Sequence, residues 1–333
     1  MDVLIIGGTR FVGLGLAWRL IARGDRVTLL NRGTRADQFG DRVERIVADR
    51  STADFARSVA RRRFDAAIDF AAYTGEDARG AIGALGGRVG HYLLISTGQV
   101  YLVREGCPRP ARESDYDGPL IPEPADPADR DDWSYGVEKR RAEDALARAW
   151  AEAGFPSTRL RLPMIHGERD HYRRVESYLW RLLDGGPVIL PDGGLQPTRH
   201  VYSGAVVRAI AAMLGLPSTF GRAYNLAQDE TPTLAELVAT LADLLGAPAR
   251  SVAVPAAAIE AAGLEPARIS PLSGRWMSFL DPSLARSDLG FRHEPPRSYL
   301  DKVVATFLNA TPPSPPENYA RRSEEVRLAR ESA

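Results

Sequence analysis

Cysteine is almost missing from this 333-residue sequence: Cys107 stands alone. That excludes a disulfide framework and a thiolate metal cluster, and nothing calls for an oxidising compartment. Net charge is missing as well. The 43 basic residues offset 43 acidic ones, so there is no general electrostatic case for nucleic acid or an anionic membrane as partner. No apolar run approaches the roughly 18 residues that a membrane span needs. The opening Met1-Asp2-Val3-Leu4-Ile5-Ile6 has no basic leader and runs straight into glycines, so it reads as a strand and not as a secretion signal. A soluble cytoplasmic protein is expected. His171 and His200 lack the partner spacing of a metal site, and no metal is expected. Lysine is scarce too. Lys139 and Lys302 are the only two, so a lysine at a chemically meaningful spacing carries more weight than usual.

What is present is a chain long enough for one large or two modest domains, able to bury a full core without staples. Short apolar runs alternate with helical patterns: Val3–Ile6, Val27–Leu30, Val43–Val47, Ala66–Phe70, Tyr92–Ile95 and Thr158–Leu162. Continuous apolar strands separated by helices predict an α/β fold with a doubly wound parallel sheet covered on both faces. Phe11 to Ala22 and Glu138 to Ala153 are amphipathic, the second ended by Gly154 and Pro156. From Tyr101 to Trp133 the Pro- and Asp-rich chain reads as one long surface loop. Later, Val175–Leu183 and Thr233–Leu245 read as helices, the latter capped by Thr231 or Thr233 with Glu236 as a capping-box partner. Ala223–Leu226 reads as a short strand, and the tail from Thr311 as an exposed charged arm with one helix.

Gly7-Gly8-Thr9-Arg10-Phe11-Val12-Gly13 sits between the first strand and the first helix. Glycines there let the backbone approach a dinucleotide pyrophosphate, which the helix N-terminus then stabilises. An acidic residue at the end of the second strand would favour a free ribose 2′-hydroxyl. This chain has Asn31-Arg32 instead, with Arg10 in the turn, and two guanidiniums suit a 2′-phosphate. NADP(H) is therefore favoured, with NAD(H), its ribose held by Asn31, as the alternative.

Tyr135 and Lys139 lie four apart, on one face of a helix that they open after the long loop. A phenol is a poor base at neutral pH, and a nearby ammonium favours its phenolate. Such a pair can move a proton on a substrate oxygen while hydride moves on the carbon. Upstream, Ser96 and Thr97 end the fifth strand, at the sheet edge where open α/β sheets bind ligands, and either hydroxyl could orient a carbonyl.

With these residues, the chain resembles the extended short-chain dehydrogenase/reductase family, which includes nucleotide-sugar epimerases and dehydratases. The resemblance covers roughly residues 1–310. It rests on the glycine turn, Thr97 ahead of Val100-Tyr101, the Tyr135/Lys139 pair, Leu160-Arg161-Leu162-Pro163 with His166-Gly167, Tyr224-Asn225-Leu226, and Asp281 to Phe291. It implies a Rossmann-type domain over 1–160, to which the chain returns around 200–227. A mainly substrate-binding domain over 161–310 and the arm 311–333 follow. It implies that Thr97 polarises the substrate oxygen, that Tyr135 is the general acid/base, and that Lys139 holds the nicotinamide ribose. The cofactor would meet Gly7, Thr9, Arg10, Phe11, Val12 and Gly13, with Asp49 near the adenine and Ala71, Ala72 and Pro163 along the nicotinamide side. Ser96, Gln99 and Arg199 are candidate substrate contacts, and a homodimer is expected.

Arg10 stands where the family usually has glycine, a form similar to the subgroup of plastid stem-loop RNA-binding proteins and their bacterial relatives. Pro163-Met164 and Ser203-Gly204-Ala205 replace residues that nucleotide-sugar enzymes often carry, and His166 replaces a tyrosine. The leading expectation is an NAD(P)-dependent enzyme acting on a secondary alcohol or ketone. A cofactor-retaining epimerase or dehydratase, or a non-catalytic nucleotide-responsive RNA-binding scaffold, are the alternatives.

Overall fold

A computed structural model describes residues 1–309 and 314–332. The chain divides into two compact units. The first comprises Met1–Pro163, Ser203–Ala227 and Ser278–Arg292, and the second Met164–Tyr202, Gln228–Met277 and His293–Ala333.

The first unit is built on strands β1 (Asp2–Ile6), β2 (Arg26–Asn31), β3 (Val43–Val47), β4 (Ala66–Asp69), β5 (Tyr92–Thr97), β6 (Ser157–Leu162) and β7 (Ala223–Asn225). They form one parallel sheet in the order β7-β6-β5-β4-β1-β2-β3, the α/β architecture that the apolar runs predict. Its helices are α1 (Phe11–Arg23), α2 (Ala53–Val59), α3 (Gly75–Leu85), α4 (Gln99–Leu102), α5 (Pro127–Ala153), α6 (Ser203–Met213) and α7 (Ser283–Leu289). Val3 to Ile6 are at most 1% exposed, as a strand must be when both its faces are covered. Leu4, Ile6, Ala67 and Leu94 pack on one face with Phe55 and Val59 of α2, Ala78 and Ala81 of α3, and Ala142 and Leu146 of α5. Val3 and Ile5 alternate to the other face, on the side of the packed pair α1 and α6.

Two boundaries differ from expectation. Helix α5 begins at Pro127, inside the expected loop. The Asp126 carboxylate accepts from the Ala128 N–H, and Pro127 at the first helical position loses no hydrogen bond. Tyr135 and Lys139 therefore lie in the helix body and not at its start. Segment Ser278–Arg292, expected in the second domain, belongs to the first unit. The Ala111 N–H donates to the Phe279 carbonyl, and the Asp281 N–H to that of Ala111.

In the second unit, strand Val188–Pro191 pairs in parallel with Ser251–Val254, and helix Arg174–Leu183 packs on helix Leu234–Leu245. Thr233 caps the latter, with Glu236 closing the capping box. The charged tail is not an exposed arm. Helix Arg322–Glu331 buries Glu325 and Ala329, and the Arg181 guanidinium donates to both Glu325 oxygens at 2.9 and 2.6 Å. Arg322 pairs with Asp184. These charges are neutralised by partners far away in sequence, which composition alone does not reveal. Residues 310–313 and 333 of the expected arm lie outside the described residues.

Candidate active site

The turn after β1 is shaped by its glycines. Gly7 and Gly8 both have φ +78°, a conformation that favours glycine. A Cβ on Gly13 would overlap the Gly8 Cα, so α1 can approach the turn this closely only without one. Arg10 takes an extended backbone, φ −135°, which any residue adopts, and this is why an arginine is tolerated in mid-turn. Phe11 opens α1 at φ +43° and Val12 is buried behind it. No side chain caps α1, and no acidic residue occupies its first turn. The positive end of the helix is thus not neutralised by a side chain. Arg10 and Arg32 are exposed, while the Asn31 carboxamide accepts from the Gly33 N–H at 2.8 Å.

Around the sheet's carboxyl edge, the Asp49 carboxylate accepts from the Ser51 N–H and hydroxyl at 2.9 and 2.6 Å. Ala71 and Ala72 follow β4. Lys139 reaches from α5 to this turn, its ammonium donating to the Ala72 and Ile95 carbonyls at 2.7 and 2.8 Å. Lys139 is 2% exposed, and burial pushes its pKa down to about 8 against the opposing pull of Asp69, Glu143 and Asp77. One of its three N–H donors is left over from these two bonds. Tyr135, one turn earlier, is 37% exposed; the ammonium lies 5.9 Å from its ring centroid and 5.0 Å from that of Tyr73.

Thr97 ends β5 half-buried, its hydroxyl accepting from the Gln99 N–H at 3.2 Å. Ser96, its neighbour, points to the other side of the sheet as strand alternation requires. Its hydroxyl is buried and donates to Glu143 at 2.5 Å, which corrects the expectation of a substrate contact. The Gln99 carboxamide donates to Asp132 at 3.0 Å. Arg199, in the second unit, donates to the Thr231 hydroxyl and the Asp229 carbonyl at 3.0 and 2.7 Å. Pro163 closes the first unit's main segment.

The sequence did not point to the polar core under this edge. Glu143 is fully buried. Burial alone would raise its carboxyl, but the Arg161 guanidinium, at 2.6 Å, outweighs that and holds it below the ordinary value. Arg161 also donates to the Tyr101 hydroxyl at 2.6 Å, which donates in turn to Asn225 at 3.0 Å. Arg161 and Asn225 belong to motifs visible in the sequence; their meeting is a product of the fold. Among the described residues, no three His, Cys, Asp or Glu side chains are grouped to hold a metal ion. The buried His166 and His200 rings lie against each other, centroids 3.8 Å apart and tilted by 36°, and none of their nitrogens has a hydrogen-bond partner in the protein.

The glycine cradle, the open end of α1 and the spare Lys139 donor fit a nicotinamide dinucleotide. Comparison with known proteins agrees. A family model described as the NAD dependent epimerase/dehydratase family matches residues 3–227. A 2′-dehydrokanamycin reductase of Streptomyces kanamyceticus is 25% identical over 286 residues, 84% of this chain and 77% of that protein. The chloroplast stem-loop binding protein of 41 kDa b of Arabidopsis thaliana is 25% identical over 260 residues, 74% of this chain but 64% of that protein. Among solved structures, a dTDP-glucose 4,6-dehydratase of Bacillus anthracis in complex with NAD has a TM-score of 0.73 at 14% identity, covering 93% of this chain and 97% of that one. A UDP-glucose 4-epimerase of Thermotoga maritima with UDP-glucose has a TM-score of 0.73 at 20% identity, covering 92% and 99%.

Proposed function

This chain belongs to the NAD dependent epimerase/dehydratase family, and from that premise we propose that it is an NADP(H)-dependent reductase or dehydrogenase interconverting a secondary alcohol and a ketone on a sugar-derived small molecule. One observation carries the reading: an exposed Tyr135 phenol stands one helical turn from a buried Lys139 ammonium, which donates to Ile95 on the strand that Thr97 ends. The nicotinamide, when bound, supplies or accepts the hydride. Tyr135 gives a proton to the substrate oxygen, or takes one from it, and Thr97 hydrogen-bonds the same oxygen. Lys139 favours the Tyr135 phenolate by its charge and offers its third N–H to the nicotinamide ribose. Turn Gly7–Gly13, with Thr9, Phe11 and Val12, takes the pyrophosphate at the end of α1. Asn31 meets the adenosine ribose, and Asp49 lies toward the adenine. Ala71, Ala72 and Pro163 flank the nicotinamide.

The exposed Arg10 and Arg32 side chains support NADP(H) over NAD(H). The likeness to a 2′-dehydrokanamycin reductase supports the reductase direction on a keto-sugar. The reading includes a cytoplasmic homodimer, whose mass in solution is directly measurable.

Fluorescence titration with NADPH and NADH tests the cofactor. NADPH is expected to bind at least about tenfold tighter, and Arg32→Asp to erase that margin. Equal affinities would overturn the preference. NAD(H) retained through purification would bring forward an epimerase or dehydratase, as in the solved structures of like fold. NADPH oxidation over a panel of keto-sugars then tests the reaction.

A second reading, RNA stem-loop binding, is supported by the likeness to the chloroplast protein and by Arg10 in the glycine turn. Retention of a stem-loop RNA that weakens steeply with salt would favour it.

A further inference from the structure

In the four-residue turn after β4, Ala71 to Thr74, five of the eight backbone N–H and carbonyl groups are held by charged side chains. The Asp69 carboxylate accepts from the Ala71 N–H at 2.8 Å, and the Arg50 guanidinium reaches the Ala71 carbonyl at 3.4 Å. Lys139 donates to the Ala72 carbonyl. One oxygen of Asp77 accepts from both the Tyr73 and Thr74 N–H groups, at 2.8 and 2.9 Å. Arg50 connects these holders. It pairs with Asp69 at 2.8 Å and with the other Asp77 oxygen at 2.8 Å, and donates to the Asp77 carbonyl at 3.1 Å. Its side chain is 9% exposed, and it comes from the β3–α2 loop, directly after Asp49. Its buried Nε has no hydrogen-bond partner, so its two terminal nitrogens carry the whole arrangement.

We propose that Arg50 is a positioning residue of the candidate site: it clamps the turn on which the Lys139 ammonium is docked, and its charge balances the two aspartates that Lys139 would otherwise face alone.

Four charges thereby meet beside the turn, Arg50 and Lys139 against Asp69 and Asp77. Glu143 of α5 adds a third carboxylate on the Lys139 side, and the Tyr73 and Tyr135 rings flank the ammonium. Burial depresses Lys139 most. Asp69, Glu143 and Asp77 oppose it, and Arg50 reinforces it. Removing the Arg50 charge removes a repulsion and leaves Asp69, which also accepts from the Tyr92 hydroxyl at 2.8 Å, and Asp77 without that counter-charge; both changes strengthen the hold on the Lys139 proton. The site's acid/base poise is then set in part from the loop where the adenine is expected. That consequence rests on the proposed function; the clamp itself does not.

The chain has only two lysines, so ¹³C-lysine labelling gives two side-chain signals, with Lys302 in the second unit as internal control. Their pH titration reads Lys139 without cofactor or turnover. Arg50→Met is expected to move the Lys139 midpoint up from about 8 by about half a pH unit or more. Arg50→Lys adds a third labelled signal, identified by its absence from wild type, and is expected to keep the Lys139 midpoint near the wild-type value. Asp77→Asn is expected to move it down. Loosening and hydration of the site would raise the midpoint in all three, so the opposite direction in Asp77→Asn separates charge balance from damage. If Arg50→Met does not fold, Arg50→Lys and Asp77→Asn still decide. An unmoved midpoint in folded Arg50→Met, or a rise in both other variants, overturns the proposal. Failure of the proposed function would instead appear as absent dinucleotide binding with the expected midpoint shifts still observed.

Discussion

The Lys139 ammonium sits 5.9 Å from the centre of the Tyr135 ring, with the lysine 2% exposed and the tyrosine 37% exposed. The pair straddles the boundary between interior and solvent. The interior member is fixed by two carbonyls, and the outer one is accessible to a substrate.

Tyr135→Phe keeps the ring and removes only the hydroxyl. Turnover is expected to fall at least about 100-fold, as for the loss of a general acid/base. Dinucleotide affinity should stay within about twofold. Steady-state rates beside a fluorescence titration check both; unchanged turnover would remove Tyr135 from the chemistry.

Lys139 has a folded pKa of about 8 against an ordinary 10.5. Between these values the unfolded chain binds a proton that the folded chain has released, so stability rises with pH across that window. Below about 8 the buried ammonium is charged in both states, and its full cost is present. Lys139→Met abolishes the effect. Urea unfolding at pH 7.5 and 9.5 should show wild type gaining on the variant by about 2 kcal/mol. Under the role proposed for Lys139, activity is expected to decline over the same rise.

Two glycines of α1 should respond oppositely. At Gly13 a Cβ would collide with the Gly8 backbone, which has nowhere to go. Gly13→Ala is expected to cost about 2 kcal/mol or more and to abolish dinucleotide binding. At Gly15 the nearest neighbour is the Val207 side chain at 3.4 Å. Gly15→Ala should be neutral or slightly stabilising, since alanine is the better helix former. Thermal melts with and without dinucleotide distinguish the two.

Arg181 and Glu325 are 0% and 2% exposed. Glu325→Ala leaves a buried guanidinium without its counter-charge, at a cost of about 3–5 kcal/mol. Hydrogen exchange should show helix Arg174–Leu183 losing protection while β1, β4 and β5 keep theirs.

His91 is buried, and its Nδ1 accepts from the Gly215 N–H at 3.1 Å. Its other nitrogen therefore carries the proton and donates to the Thr158 hydroxyl at 2.8 Å. Burial lowers its pKa to about 4. As pH falls below 6.5 the unfolded chain gains a proton that the folded one refuses, so stability drops until pH reaches about 4. Between pH 7 and 5, wild type should lose about 2 kcal/mol relative to His91→Gln in chemical unfolding.

The parts of the site legible in the sequence are those fixed by local spacing. Tyr135 and Lys139 share a helix face whatever surrounds them, and the glycine turn follows a strand that is apolar on both faces. The start of α5 was hidden because Pro127 and the aspartates around it resemble a loop until Asp126 is seen as a cap. Ser96 and Thr97 read alike as hydroxyls at a strand end, and only the register of β5 sends one into the core. Arg50 meets partners 19 and 27 residues away, and Glu143 meets Arg161 across 18. Such pairs are decided by topology, so neither composition nor periodicity announces them.

The Arg181–Glu325 pair also sets an order of events. On a chain growing from its N-terminus, Arg181 must wait 144 residues for its counter-ion. Until then it has no means of entering a core, and the cluster that holds Ile189, Val254 and Ala329 has no closing side. Strands β1–β6 lie within the first 163 residues and can begin to pair while the ribosome is still translating, with α6, β7 and Ser278–Arg292 joining them later. The second unit closes only after its last helix emerges, and for that interval it is the part of the nascent chain that chaperones and proteases would meet first.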